Sequence, residues 1–255
     1  MKPEGAESTA AAGTRPGRSG GGHTAFGKVL YVVLWVLSRT LGVAMFGVRT
    51  RFAEPLPSRG GLLVISSHQS HLDPLLLGLA TDRRLSSMAR STLFRTQPLG
   101  FMITALDAVP VDREASALAG MKTVIERLKR GAAVIVFPEG TRTSTGRLGE
   151  IKAGFSILAR RAGVPIVPVA IVGAFECWPR TRRCPRPGRI RLEFGRVIRP
   201  AEIATLDDAA LTAEVVARLH ELDAAARAAL AGRPLTARPA PPDSPLPPAA
   251  APAPV

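Results

Sequence analysis

Leu62-Leu63-Val64-Ile65-Ser66-Ser67-His68-Gln69-Ser70-His71-Leu72-Asp73-Pro74 runs from an apolar segment into a polar turn and leaves it through an Asp-Pro pair. The apolar run is short, partly β-branched and preceded by Gly60-Gly61, which predicts a buried strand over Leu62 to Ser66. Asp followed by Pro is a favoured helix start, with Asp as N-cap and Pro at the first helical position. The turn therefore opens a helix at Asp73 or Pro74 that reaches about Ala80.

The same alternation repeats outward from this unit. Ile103 to Val111 reads as a strand ending at Asp112-Arg113, and Leu118, Met121, Val124, Ile125 and Leu128 recur with helical period. That helix closes on Lys129-Arg130 before Gly131. Ala132 to Phe137 is a clear strand running into Pro138-Glu139-Gly140-Thr141-Arg142. A helix over Gly154 to Ala162 stops at Gly163, and strands follow at Ile166 to Val172 and Ile190 to Phe194. Leu211 to about Leu230 closes the pattern as an amphipathic helix. Strands alternating with helices predict an α/β fold with a mixed, largely parallel sheet flanked by helices. Ligands of such sheets sit beyond the carboxyl ends of strands, where both polar turns fall.

The ends of the 255-residue chain read differently. Residues 1–24 are rich in Gly, Ala, Ser and Thr without apolar period, and residues 232–255 alternate Pro and Ala. Neither can bury enough apolar surface to offset its ordering entropy, so both are expected to be disordered. Residues 25–50 carry two apolar runs, Val29 to Leu37 and Leu41 to Val48, broken by Ser38-Arg39-Thr40. Each run is shorter than the roughly 20 residues a bilayer span needs. Joined, they would place Arg39 near the membrane centre at a cost of about 2.5–3.5 kcal/mol. The expected arrangement is a helix or helical hairpin lying in one leaflet; a true span and a buried core helix are the alternatives. The long polar leader and the absence of a clean cleavage site argue against a signal peptide. Residues 51–231 form the expected folded domain, large enough for a real core.

The formal net charge of +14 makes nucleic acid, anionic lipid and phosphorylated small molecules plausible partners. Arg180, Arg182, Arg183, Arg186 and Arg189 cluster between Trp178 and Arg191. Only Trp178 offers a stacking ring there and no nucleic-acid motif accompanies it, so an anionic membrane surface is the favoured partner. Cys177 and Cys184 have no nearby histidine, which disfavours a zinc site and suits a reducing compartment.

His68 and Asp73 are the candidate chemistry. Histidine titrates near neutrality and can take a proton from a hydroxyl and return it. A carboxylate on its other ring nitrogen would fix the tautomer and stabilise the imidazolium. The bland alternatives are a hydrogen-bonded core histidine and an aspartate that only caps a helix. A metal site of His68, His71 and Asp73 lacks further ligands downstream. Ser70 lies outside a G-x-S-x-G elbow and is a poor nucleophile candidate. In the second turn Gly140 allows close backbone approach and Arg142 offers a planar fork for phosphate oxygens; a plain surface turn is the alternative. Arg113 and Lys152 add charge at similar turn positions. In Val164-Pro165-Ile166-Val167-Pro168-Val169 the prolines suggest an edge strand or an apolar wall.

Taken together these segments resemble the glycerolipid acyltransferase family. Its H-x-x-x-x-D block matches His68 to Asp73, and its second block is similar to Val109-Pro110-Val111-Asp112-Arg113. Phe137-Pro138-Glu139-Gly140-Thr141-Arg142 and Val164 to Val169 match the third and fourth, in family order. The resemblance implies a glycerol-3-phosphate acyltransferase-like fold with an N-terminal membrane-associated helical segment. It implies transfer of a fatty acyl group from acyl-CoA or acyl carrier protein to the sn-2 hydroxyl of lysophosphatidic acid, giving phosphatidic acid, with no cofactor; another lysolipid or glycerol 3-phosphate as acceptor, and a non-catalytic membrane-binding relative, are the alternatives. By position, His68 would be the general base and Asp73 its orienter. Glu139, Gly140, Thr141 and Arg142, helped by Arg113, would bind the glycerol phosphate, with the fourth block on the acyl-chain side. The implied location is the cytoplasmic face of the inner membrane, monotopic or peripheral. Ser67 stands where many relatives carry asparagine, Arg90 where they often carry lysine, and Asp107 where a small neutral residue is more usual.

Overall fold

The computed structural model describes residues 45–90, 109–111 and 117–232. Seven strands form one sheet: β1 (Arg49–Phe52), β2 (Leu62–Ser66), β3 (Leu85–Arg90), β4 (Val109–Val111), β5 (Ala133–Val136), β6 (Ile166–Val172) and β7 (Arg191–Phe194). Their spatial order is β1-β7-β6-β2-β5-β3-β4. Only the β6–β7 pair is antiparallel; the other five neighbours run parallel. The expected α/β class with a mixed, largely parallel sheet is what forms. The N-terminal helical segment lies outside the described residues up to residue 44, as do the tail from residue 233, residues 103–108 of the expected strand, Asp107 and Arg113.

Central strands of a parallel sheet are covered on both faces and read as continuous apolar runs. β2 meets this fully, with Leu62 to Ser66 all inaccessible. Successive side chains point to opposite faces. Leu62 and Val64 enter a core with Leu76, Leu77, Ile135, Val167, Val169 and Phe194. Leu63 and Ile65 enter the other, with Val124, Leu128, Phe155, Leu158, Leu211, Val215 and Leu219.

Helix α1 (Asp73–Ala80) covers the first face through Leu76 and Leu77. Helices α2 (Ala117–Lys129), α3 (Gly154–Ala162) and α6 (Asp208–Leu230) cover the second, where Leu211, Val215 and Leu219 repeat every fourth residue. Two short helices, α4 (Ala174–Cys177) and α5 (Pro200–Thr205), are the others among the described residues. Gly163 ends α3 in the left-handed region at φ 67°, donating its N–H to the Ala159 and Arg160 carbonyls. Asp207 caps α6 by accepting the Ala210 N–H at 2.7 Å.

Two expectations change. The prolines of the β6 segment suggested an edge strand, but β6 lies between β2 and β7. Pro168 is tolerated because β7 ends at Phe194, paired with Val169, and the ladder resumes only at the Ile166–Ile198 bridge. The absent N–H falls in that gap, while the Pro168 carbonyl accepts the Gly195 N–H at 2.9 Å. The folded unit also starts before residue 51. β1 crosses that position, Phe46 is 7% exposed in the first core, and the Met45 and Phe46 carbonyls accept the Gly188 and Ile190 N–H groups.

Candidate active site

β6, β2 and β5 are adjacent and parallel, so their carboxyl ends deliver three loops to one edge of the sheet. β2 supplies Ser67 to Leu72, β5 supplies Phe137 to Arg142, and β6 leads through Gly173 and α4 to Trp178.

The His68 ring is held at one nitrogen and on one face, and its backbone is held on both sides of the peptide. Its Nδ1 lies 2.8 Å from Asp73 Oδ2, and its ring stacks on Phe137 with centroids 4.0 Å apart and planes 15° from parallel. Its backbone N–H donates to Glu139 Oε1 at 2.8 Å, and its carbonyl accepts the Thr143 N–H at 2.8 Å. With Nδ1 committed to a carboxylate, Nε2 is the nitrogen left to exchange a proton with a hydroxyl. The side chain as a whole retains 20% exposure.

Asp73 does not cap its helix. Leu72 occupies the N-cap position without a side-chain cap bond, and Asp73 is the first helical residue. Its Oδ2 instead accepts the N–H of Gln69 at 2.6 Å, the N–H of Ser70 at 2.7 Å and the His68 contact. Oδ1 is buried without a partner among the described residues. Burial pushes this carboxyl above the ordinary aspartate value, against the pull of the His68 and backbone hydrogen bonds. The two serines flanking His68 and Gln69 are occupied structurally. Ser70 Oγ donates to the Trp178 carbonyl at 2.7 Å and accepts the Leu72 N–H, and Ser67 Oγ accepts the Ile171 N–H at 3.1 Å.

In the second turn, Glu139 faces inward. Oε1 holds the His68 N–H and Oε2 accepts the Gly149 N–H at 3.0 Å. Burial raises this carboxyl above its usual value, opposed by those two N–H donors. Gly140 turns in the left-handed region at φ 71°, and a Cβ there would lie 3.6 Å from Lys152 Nζ. Arg142 donates from Nη1 to His71 Nδ1, so His71 pairs with the second turn and not with Asp73. Thr141 is exposed in the same turn.

The structure therefore gathers His68, Asp73, Glu139, Gly140, Thr141 and Arg142 at one sheet edge. Sequence alone missed the bond of Glu139 to the His68 backbone, the Arg142–His71 pair and the Phe137 stack. Only Phe137 carried a local signal, as the aromatic that ends β5 directly before the Pro138 turn. Among the described residues no three His, Cys, Asp or Glu side chains gather as metal ligands would. No described helix is long and apolar enough to cross a membrane.

Residues 47–172 match the family described as Acyltransferase. The chain is 30% identical over 182 residues to the 1-acyl-sn-glycerol-3-phosphate acyltransferase of Bacillus subtilis, covering 69% of this chain and 88% of that one. It is 31% identical to the Pseudomonas aeruginosa protein of that name, over 60% of each chain. The crystal structure of the 1-acyl-sn-glycerophosphate (LPA) acyltransferase PlsC from Thermotoga maritima superposes with a TM-score of 0.63 at 23% identity. That likeness covers 83% of this chain and 82% of the other, and it extends to the fold.

Proposed function

Because the chain belongs to the acyltransferase family, we propose that it acylates the sn-2 hydroxyl of 1-acylglycerol 3-phosphate, using an acyl-CoA or acyl carrier protein thioester and releasing phosphatidic acid. The observation that carries the mechanism is the 2.8 Å contact of His68 Nδ1 with a buried Asp73 carboxylate oxygen, beside a basic turn from the next strand. Nε2 of His68 takes the proton of the acceptor hydroxyl as its oxygen attacks the thioester carbon. Asp73 stabilises the imidazolium that results. The tetrahedral intermediate collapses by breaking the carbon–sulfur bond, and the imidazolium returns its proton to the leaving thiolate. General-base assistance of this kind contributes roughly 10²–10⁴ in rate.

The acceptor's phosphate falls to the β5 turn. Arg142 and Lys152 bring positive charge to it, and Gly140 and Thr141 present backbone and hydroxyl there. Arg113 joins them by its place in the sequence. Glu139 serves the substrate indirectly, since both its oxygens hold backbone N–H groups, one of them that of His68. Residues 25–44 together with the arginine loop before β7 seat the enzyme on one leaflet at an anionic membrane face.

The test is acyl transfer by purified wild type and His68→Ala, with palmitoyl- and oleoyl-CoA against a panel of lysolipids. Phosphatidic acid from lysophosphatidic acid, lost in the variant, is the expected result. Product from a different lysolipid alone would keep the dyad and change the acceptor. Turnover that survives in His68→Ala would overturn the mechanism.

A further inference from the structure

We propose that His71 is a positioning residue for Arg142: an imidazole that accepts a hydrogen bond from the guanidinium and so orients it toward the acceptor's phosphate. This rests on the reading of Arg142 as the phosphate ligand given above.

Arg142 Nη1 donates to His71 Nδ1 across the gap between the β5 and β2 turns. Guanidinium has no acceptor and never loses its proton in a protein, so this bond exists only while Nδ1 is unprotonated. The imidazole is itself steadied from the loop after β6. Its ring lies against Trp178 with centroids 5.2 Å apart at 40°, and the Arg180 backbone lies beside it. The Trp178 carbonyl in turn accepts from Ser70, the residue before His71.

The groups facing this ring are the Arg142 guanidinium from the β5 turn, His68 from its own turn and the Arg180 backbone from the loop after α4. Burial holds the imidazole below its ordinary value, with Arg142 and His68 acting in the same direction and the Arg180 backbone against them. As pH falls through the depressed value, the proton removes the acceptor and sets two cations side by side, and Arg142 leaves its position. Acid should therefore weaken acceptor binding as this imidazole takes up its proton.

The experiment compares wild type, His71→Phe and His71→Asn with lysophosphatidic acid and with monoacylglycerol of the same chain, over about pH 5 to pH 8. Phe keeps the ring against Trp178 and deletes the acceptor; Asn places an amide oxygen near the Nδ1 position and does not titrate. His71→Phe should raise KM for lysophosphatidic acid roughly five- to tenfold while kcat changes less than about twofold, with no matching rise for monoacylglycerol. His71→Asn should restore most of the affinity and lose the acid-side rise in KM that wild type adds to the substrate's own phosphate titration. A His71→Phe enzyme with wild-type KM at every pH overturns the proposal, as do superimposable wild-type and Asn profiles. Imidazole NMR of the unliganded protein tests the pair apart from turnover, because Arg142→Gln should raise the His71 pKa. An unmoved titration breaks the pair itself. A moved titration beside an enzyme silent on lysophosphatidic acid keeps the pair and overturns the acceptor assignment.

Discussion

Asp73 is the residue at which the site's chemistry and its stability pull apart. Its carboxyl is wholly buried, one oxygen carries three contacts, and the other has none among the described residues. A value raised by burial means that the folded protein is most stable with this carboxyl protonated, and loses stability as pH rises through that raised value. Asp73→Asn has no such dependence. Thermal melts of the two proteins should show the Asn variant gaining on wild type as pH rises through that raised value. Acyl transfer by the same variant should fall roughly 10²–10⁴-fold, because an amide cannot balance the imidazolium. A melting difference that is flat with pH would show that the carboxylate ionises there without a desolvation cost.

Among the elements, those with a local signal were legible and those defined by distant partners were not. α3 reads from its apolar period and from Gly163, and β2 from its unbroken apolar run. β1 is Arg-Thr-Arg-Phe, a largely exposed edge strand with no apolar alternation. β3 was likewise hidden, because Ser86 and Ser87 are buried where apolar residues would have signalled a strand. The site divides the same way. The His68–Asp73 pair is local, whereas Glu139 on His68 and Arg142 on His71 exist only because β2 and β5 pair in parallel. Gly173 gives an element-scale test. It ends β6 at φ 90°, and a Cβ there would meet the Arg189 carbonyl oxygen at 2.0 Å and Arg189 C at 3.1 Å. Gly173→Ala combines left-handed strain with a backbone clash and should destabilise by about 2–4 kcal/mol, read as a lowered midpoint in urea. Unchanged stability would mean that the loop before β7 yields more easily than its packing implies.

At the scale of the molecule, the arginines of 180–189 lie exposed on the loop that Gly188 and Ile190 fasten to Met45 and Phe46. Removing Arg182 and Arg183 together, each as Arg→Glu, should weaken partition onto vesicles containing anionic lipid by at least roughly fivefold per residue. The loss should shrink in high salt and be absent on neutral vesicles; equal binding to both vesicle types by wild type would remove the loop from membrane docking. The same stitching sets where the chain can be cut. Deletion through Ala44 spares Phe46, whereas deletion through Val48 takes a core side chain with it and should leave no cooperative melt. β1 also has a place in time. Among the described strands its one partner is β7, Arg49 against Arg191, so during synthesis at roughly 5–20 residues per second that partner emerges on the order of ten seconds after it does. Through that interval β1 and the apolar sequence ahead of it have left the ribosome with no sheet edge to join. The strand translated first is placed last, and until then whatever surface lies nearest has the first claim on it.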